Sequence, residues 1–505
     1  MNIENALYAP NRINIHNFRI ETMNNSVLPT DVYSNPLLER YASQEMSYLF
    51  SPDFKFSTWR KLWIALAESE RELGLPISDG QIAEMKAHVH DIDFNRVKAL
   101  ESKTRHDVMA HIQAFGEACP LAKPIIHWGA TSAFVGDNTD LIQMKEATAL
   151  LLKRLIAVMT ALKNFALTHK DHATLGFTHF QPAQLTTIGK RASLWLSELS
   201  MDFIALDSFI AALPFLGAKG ATGTQASYLS LFDGDSEKVK KLDAMIAEKM
   251  GFASIVPVSG QTYSRKIDAQ AAAILSGLAQ SLHKMSNDIR LLQHLREIEE
   301  PFESAQIGSS AMAYKRNPMR SERLTSLARF IISLSSSPAM TAAEQWFERT
   351  LDDSANKRLS IPQAYLASDA SLILALNICE GLVVYPNVIE KHLQEELPFI
   401  ATENILMEAV KKGGDRQLLH ERIRKHSMEA QKEIQMNGAE NTLLKLITDD
   451  PAFGLLHMDF DRLLNTRHFI GRCPEQVVDF IECHIDPLLE KGKKYGMSER
   501  HEITV

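Results

Sequence analysis

Three stretches of this chain lack the residues that end helices. Asp137 to Leu175 contains neither glycine nor proline, Lys190 to Leu213 contains neither, and Gln261 to Glu300 contains only Gly277. In the first, Leu141, Ile142, Leu152, Leu155, Ile156, Met159, Leu162 and Phe165 recur at three- and four-residue steps, the period of a helix. The Asp137-Asn138-Thr139-Asp140 cluster offers side-chain oxygens to the free N–H groups at its start. Such lengths far exceed the mean helix of about 11–12 residues. Apolar on more than one side, these helices cannot bury themselves within one small domain. They predict a long bundle shared between subunits rather than a coiled coil, whose sustained heptads are missing.

Strand signals are few, and the proline-containing SIVPVSG at Ser254–Gly260 reads as a connection. The predicted architecture is all-α with three helical domains: residues 1–131, a long-helix core over 132–384, and residues 385–505. A net charge of −8 argues against a nucleic-acid or polybasic membrane-surface protein, both of which need a basic footprint. It leaves room for a small anionic substrate met by local arginines. Cys119, Cys379, Cys473 and Cys483 form no Cys-x-x-Cys pair, so a reducing, cytoplasmic compartment is expected. The first twenty residues lack the apolar core of a signal peptide, and no apolar run reaches the ~18 residues of a membrane span. Gly217, Gly220 and Gly223 do not make a dinucleotide fingerprint, and His169 and His172 lack a third ligand, so neither cofactor nor metal is expected.

Four polar segments carry reactive groups where packing does not require them. Gly308 to Pro318, GSSAMAYKRNP, joins small residues and hydroxyls to a Lys-Arg-Asn-Pro stop, suited to a carboxylate and a developing oxyanion. THFQPAQ places His179 before a proline-containing turn, RHDVMAH spans Arg105–His111, and Gly129-Ala130-Thr131-Ser132 precedes the first long helix, where free N–H groups favour anions.

Together GSSAMAYKRNPMRSER, RHDVMAH, IIHWGATSAFVGDNTD, THFQPAQ and QWFERTLDDSANKR resemble the fumarase/aspartase superfamily, and within it the branch that cleaves succinylated purine nucleotides. The likeness runs from about Val32 to near the C-terminus, with the motifs in the same order, and departs at Ala313, where the signature usually has proline. The resemblance implies a three-domain helical homotetramer whose active sites draw on several subunits. It implies a carbon–nitrogen lyase, without cofactor, that eliminates fumarate from adenylosuccinate to give AMP, and from SAICAR to give AICAR. A sister activity such as argininosuccinate cleavage shares the signature loop, and a catalytically silent helical scaffold is the reading from another class.

Residue by residue, the resemblance implies Ser309 as the base that removes a proton from carbon, Ser310 being the competing assignment. It implies His179 as the acid that protonates the leaving nitrogen, and His106 as a second site histidine that positions substrate. Lys315 and Asn317 would meet the charge collecting on the carboxylate. Arg40, Tyr41, Arg349, Ser354 and Arg358 match nucleotide-phosphate positions; Thr131, Ser132, Gln261 and Arg323 match contacts to the succinyl part or the base. Arg105 alone reads as a surface charge, but within RHDVMAH it joins Asp107 in the substrate-binding set.

Overall fold

The computed structural model describes residues 31–303, 306–454 and 463–496. The first twenty residues, read above for a signal peptide, and the residues beyond 496 lie outside them.

The N-terminal part is built of short capped helices. These are α1 (Gln44–Leu49), α2 (Pro52–Glu72), α3 (Asp79–Ala87), α4 (Phe94–Thr104) and α5 (Asp107–Ala118). The side chains of Ser43, Ser51, Ser78, Asp93 and His106 accept hydrogen bonds from the first free N–H groups of the five helices in turn. Trp59, Leu62, Trp63 and Leu66 on α2 are fully buried. A single π-helical turn, Leu37–Tyr41, precedes α1 and carries Arg40 and Tyr41.

The middle of the chain supplies α6 (Ser132–Thr168), α7 (Ile188–Ala212), α8 (Ala226–Leu231), α9 (Ser236–Lys249), α10 (Lys266–His294), α11 (Met319–Leu334), α12 (Ser336–Glu344) and α13 (Asp353–Gly381). Five of these close into a bundle: α6 packs on α7 and α13, α10 on α7, α11 and α13, and α11 on α13. Leu151, Leu155, Phe203, Leu282, Leu324 and Leu372 are buried within it, each contributing roughly 1.5–3 kcal/mol by leaving water. The longest helix, α6, has 37 residues, about 55 Å at 1.5 Å per residue.

Two expectations are corrected here. Asp137–Asp140 do not cap the long helix, because it begins at Ser132 and runs through Gly136. Asp137, Asn138 and Asp140 instead tie α6 to its neighbours. Asn138 donates to the carbonyl of Gly217 at 3.1 Å and accepts from Leu216 N–H at 3.0 Å, while Asp137 pairs with Arg265 and Lys357. The THFQPAQ segment is not a lone turn but the end of a hairpin, β1 (Ala173–Thr178) with β2 (Gln181–Thr187), inserted between α6 and α7. A second short pair joins β3 (Ile298–Glu299) to β4 (Val383–Val384). The molecule remains all-α in class. Among the described helices α13 alone has the length and composition of a membrane span, and it lies mostly buried in the bundle.

Beyond β4 come α14 (Pro386–Ile400), α15 (Thr402–Lys411), α16 (Arg416–Asn437) and α17 (Leu443–Asp449), whose Ile405, Leu419, Ile423, Leu443 and Ile447 form a separate small core. The last helices, Cys473–Phe480 and Asp486–Gly492, return to the bundle through Val477, Ile481 and Ile485.

Candidate active site

The start of α5 and the start of α6 meet through His106. Its ring Nδ1 accepts from Met109 N–H at 3.4 Å, which puts the ring proton on Nε2, 3.2 Å from the Ser132 hydroxyl. Asp107 faces Arg358 of α13 at 3.5 Å. Thr131 is the residue before α6 and makes no side-chain cap bond, and Arg105 ends α4 in the left-handed region with φ 53°. His127 joins this corner although sequence reasoning passes over it. Trp63 Nε1, which can only donate, bonds to its Nδ1 at 2.8 Å. Burial above all pushes the His127 pKa down to about 4, so it stands as a neutral Nε2–H donor. Its backbone is left-handed, φ 68°. The signal was its place inside IIHWGATS, two residues before the left-handed Gly129.

The first turns of α13 bring Ser354 and Arg358 to the same corner, held by a buried ionic network. Arg265 pairs with Asp137 at 3.0 Å and with Asp353, and Lys357 pairs with Asp137 at 3.1 Å and Asp140 at 2.5 Å. Burial alone would raise the Asp137 pKa, but Lys357 and Arg265 outweigh it and hold the carboxylate ionised. Just upstream, Arg349 donates to the Gln261 side-chain oxygen at 2.5 Å, and Gln261 N–H bonds to the carbonyl of Glu348 at 2.9 Å.

Arg323 of α11 stacks over the Tyr41 ring at 5.7 Å, while Arg40 is exposed. The segment bearing Arg40 and Tyr41 is fixed to the bundle by Asp369, which accepts from Ser43 N–H at 2.7 Å and pairs with the buried Arg154.

The signature segment is an exposed loop tied at its base. Asn317 Nδ2 donates to the Gly308 carbonyl at 2.7 Å. A Cβ at Gly308 would lie 2.0 Å from the Lys315 carbonyl, so only glycine allows this closure. Ser309 Oγ accepts from Ala311 N–H at 3.3 Å and Met312 N–H at 3.1 Å, donors of the kind that would stabilise its alkoxide. Lys315 is exposed and makes no ion pair among the described residues. Glu300 accepts from Arg320 N–H at 2.9 Å and Ser321 N–H at 2.8 Å, anchoring the start of α11 behind the loop. Ala313 lies in the loop's exposed arc.

His179 and Phe180 form the two-residue tip of the β1–β2 hairpin, with φ of 53° and 57°. This is the hairpin turn that ordinarily selects Asn-Gly, because both central residues are left-handed. The sheet imposes it: Gly176 packs where a Cβ would lie 2.5 Å from the Gln184 carbonyl, and Pro182 sits opposite Phe177. His179 is therefore projected into solvent on a rigid arm.

Within one chain the structure joins His106, Ser132, Asp107 and Arg358; Gln261 with Arg349; Tyr41 with Arg323; and Ser309 with Asn317 on one loop. His179 stands apart. Among the described residues no hydrogen bond or ion pair links it to Ser309 or His106, and no cluster of three or more His, Cys, Asp or Glu could hold a metal ion.

A family model described as a lyase matches residues 51–333, and one described as the adenylosuccinate lyase C-terminus matches residues 398–480. The chain is 50% identical to the adenylosuccinate lyase of Saccharomyces cerevisiae, over 94% of this chain and 99% of that protein. It is 48% identical to the adenylosuccinate lyase of Schizosaccharomyces pombe over the same shares. Among solved structures, the 3-carboxy-cis,cis-muconate lactonizing enzyme of Pseudomonas putida superposes with a TM-score of 0.76, at 22% identity over 91% of this chain and 100% of the other. The fumarate lyase of Mesorhizobium sp. BNC1 superposes at 0.74, with 21% identity over 91% and 99% of the two chains. These two share the fold.

Proposed function

Because this chain belongs to the adenylosuccinate lyase family, we infer that the four clusters described above and the separate His179 are parts of one β-elimination site. The chain is a carbon–nitrogen lyase that releases fumarate from adenylosuccinate, leaving AMP. The near full-length similarity to adenylosuccinate lyases is the observation that carries this. Cleavage of SAICAR to AICAR by the same chemistry is part of the proposal, as is work in the cytoplasm, which the unpaired thiols of Cys119 and Cys379 support.

A proton must leave a carbon beside a carboxylate, and the electron pair must collect on that carboxylate before the C–N bond breaks. Ser309 takes the proton, its alkoxide held by the N–H groups of Ala311 and Met312. Lys315 and Asn317 face the doubly charged carboxylate; one such donor is typically worth ~3–4 kcal/mol of barrier. His179 protonates the departing nitrogen, a transfer that typically contributes ~10²–10⁴-fold. His106, with its proton fixed on Nε2, positions substrate beside Ser132. Arg40, Tyr41, Ser354, Arg349 and Arg358 receive the nucleotide phosphate; Arg105, Asp107, Thr131, Gln261 and Arg323 contact the remainder. Since His179 and Ser309 do not meet within a chain, the proposal has each site draw them from different subunits, in an assembly we propose to be a homotetramer. Apolar side chains left exposed along α7, Leu194, Met201 and Ile204, support such an assembly.

The test is fumarate release, followed by ultraviolet absorbance. Turnover of adenylosuccinate is expected; turnover of argininosuccinate without adenylosuccinate would reverse the substrate assignment.

A further inference from the structure

Behind Arg358 a cavity of about 120 Å³ opens between α2, α6, α10 and α13, lined in part by Lys55, Asp140, Tyr263, Asp268, Lys357 and Arg358. Its cations are committed in ion pairs with one exception. Lys357 is paired with Asp137 and Asp140, Arg358 with Asp107, and Asp268 accepts from the Tyr263 hydroxyl at 2.6 Å. Lys55 has no carboxylate within ion-pair distance among the described residues. Its ammonium rests over the rings of Phe56 and Trp59, at 5.5 Å from each, and the charges around it are Asp140, Arg358, Asp107 and Lys357. A half-buried ammonium beside two further cations is costly to leave unpaired, and burial accordingly pushes its pKa below the usual value. An anion placed between Lys55 and Arg358 would repay that cost, and the nucleotide brings one to Arg358.

We propose that Lys55 is a further substrate-binding residue, which together with Arg358 holds the phosphate of the nucleotide. This rests on the function proposed above. The position is half-buried on α2 rather than in the core. An ammonium–phosphate contact is a charge-assisted hydrogen bond, and its loss weakens binding by roughly 10- to 100-fold.

The experiment measures AMP, adenosine and fumarate as inhibitors of adenylosuccinate cleavage, with AMP binding also followed by titration calorimetry. Lys55→Met, Lys55→Arg and, as a control for net charge, Lys240→Met on the exposed face of α9 are compared with the unaltered chain. Lys55→Met is expected to weaken AMP by roughly 10- to 100-fold and to raise KM more than it lowers kcat. Adenosine and fumarate are expected to bind as before, and Lys55→Arg and Lys240→Met to retain AMP binding. Unchanged AMP inhibition in Lys55→Met overturns the proposal. So does equal weakening of adenosine and AMP, which marks a structural role, or weakening of fumarate alone, which moves Lys55 to the carboxylate end. Failure of the unaltered chain to bind AMP overturns the underlying function and this proposal with it.

Discussion

At His179 and Phe180 two ordinary L-residues hold a left-handed backbone, at a cost of about 1–2 kcal/mol each. Such strain persists only where surrounding structure over-determines it, and it concentrates at functional sites. Among the described histidines only His179 and His127 carry it, which separates these two from the rest more clearly than their sequence neighbours do. His111 shows the contrast. It lies in the same RHDVMAH motif as His106, yet its ring is stacked on Phe56 at 3.9 Å and buried. Burial first, then the Arg60 charge, pushes its pKa down to about 4. The unfolded chain, with a histidine near 6.5, takes up this proton first, so stability falls as pH drops from about 6.5 towards 4. At pH 5 the loss is roughly 2 kcal/mol. Urea unfolding at pH 7 and pH 5 should show a smaller acid loss in His111→Phe than in the unaltered chain; equal losses would contradict the assignment.

Among the elements, α6, α7 and α10 were legible because glycine and proline are scarce over long apolar-periodic runs. The same criterion hides α13, whose Pro362 lies inside the helix. The β1–β2 hairpin was invisible because its strands carry Gly176 and Pro182, and its turn lacks the glycine that usually marks one. Asp137 read as a cap from local pattern alone, since nothing in sequence reveals that Arg265 and Lys357 converge on it from α10 and α13. The candidate site residues come from motifs, but which of them touch, and the places of His127 and Lys55 beside them, depend on packing across distant segments. Two outcomes belong to this scale. Asp137→Asn leaves two buried cations undercompensated and should cost about 3–5 kcal/mol in denaturant unfolding; a change under about 1 kcal/mol, the worth of an exposed pair, would deny the network its role. Gly308→Ala forces the Lys315 carbonyl away and should lower kcat while leaving the melting temperature nearly unchanged, because Gly308 is buried at the loop's base but the arc it closes, residues 310–316, is exposed. A fall in melting temperature matching the loss of activity would show that the loop is structural instead.

For the whole molecule, the bundle does two jobs. It buries the core, and it sends reactive groups outward from several places: the His106–Ser132–Arg358 corner, the Ser309 loop before α11, and the His179 arm between α6 and α7. A single copy leaves these groups unjoined, and assembly would unite them. The direct measurement mixes inactive His179→Ala protein with inactive Ser309→Ala protein and follows fumarate release after confirmed subunit exchange. If each site takes its histidine and its serine from different copies, an equal mixture should regain about a quarter of the unaltered activity, the fraction of sites receiving both intact groups at random. If both groups come from one chain, every site keeps a defect, and activity that stays at the level of the separate variants would contradict the shared site.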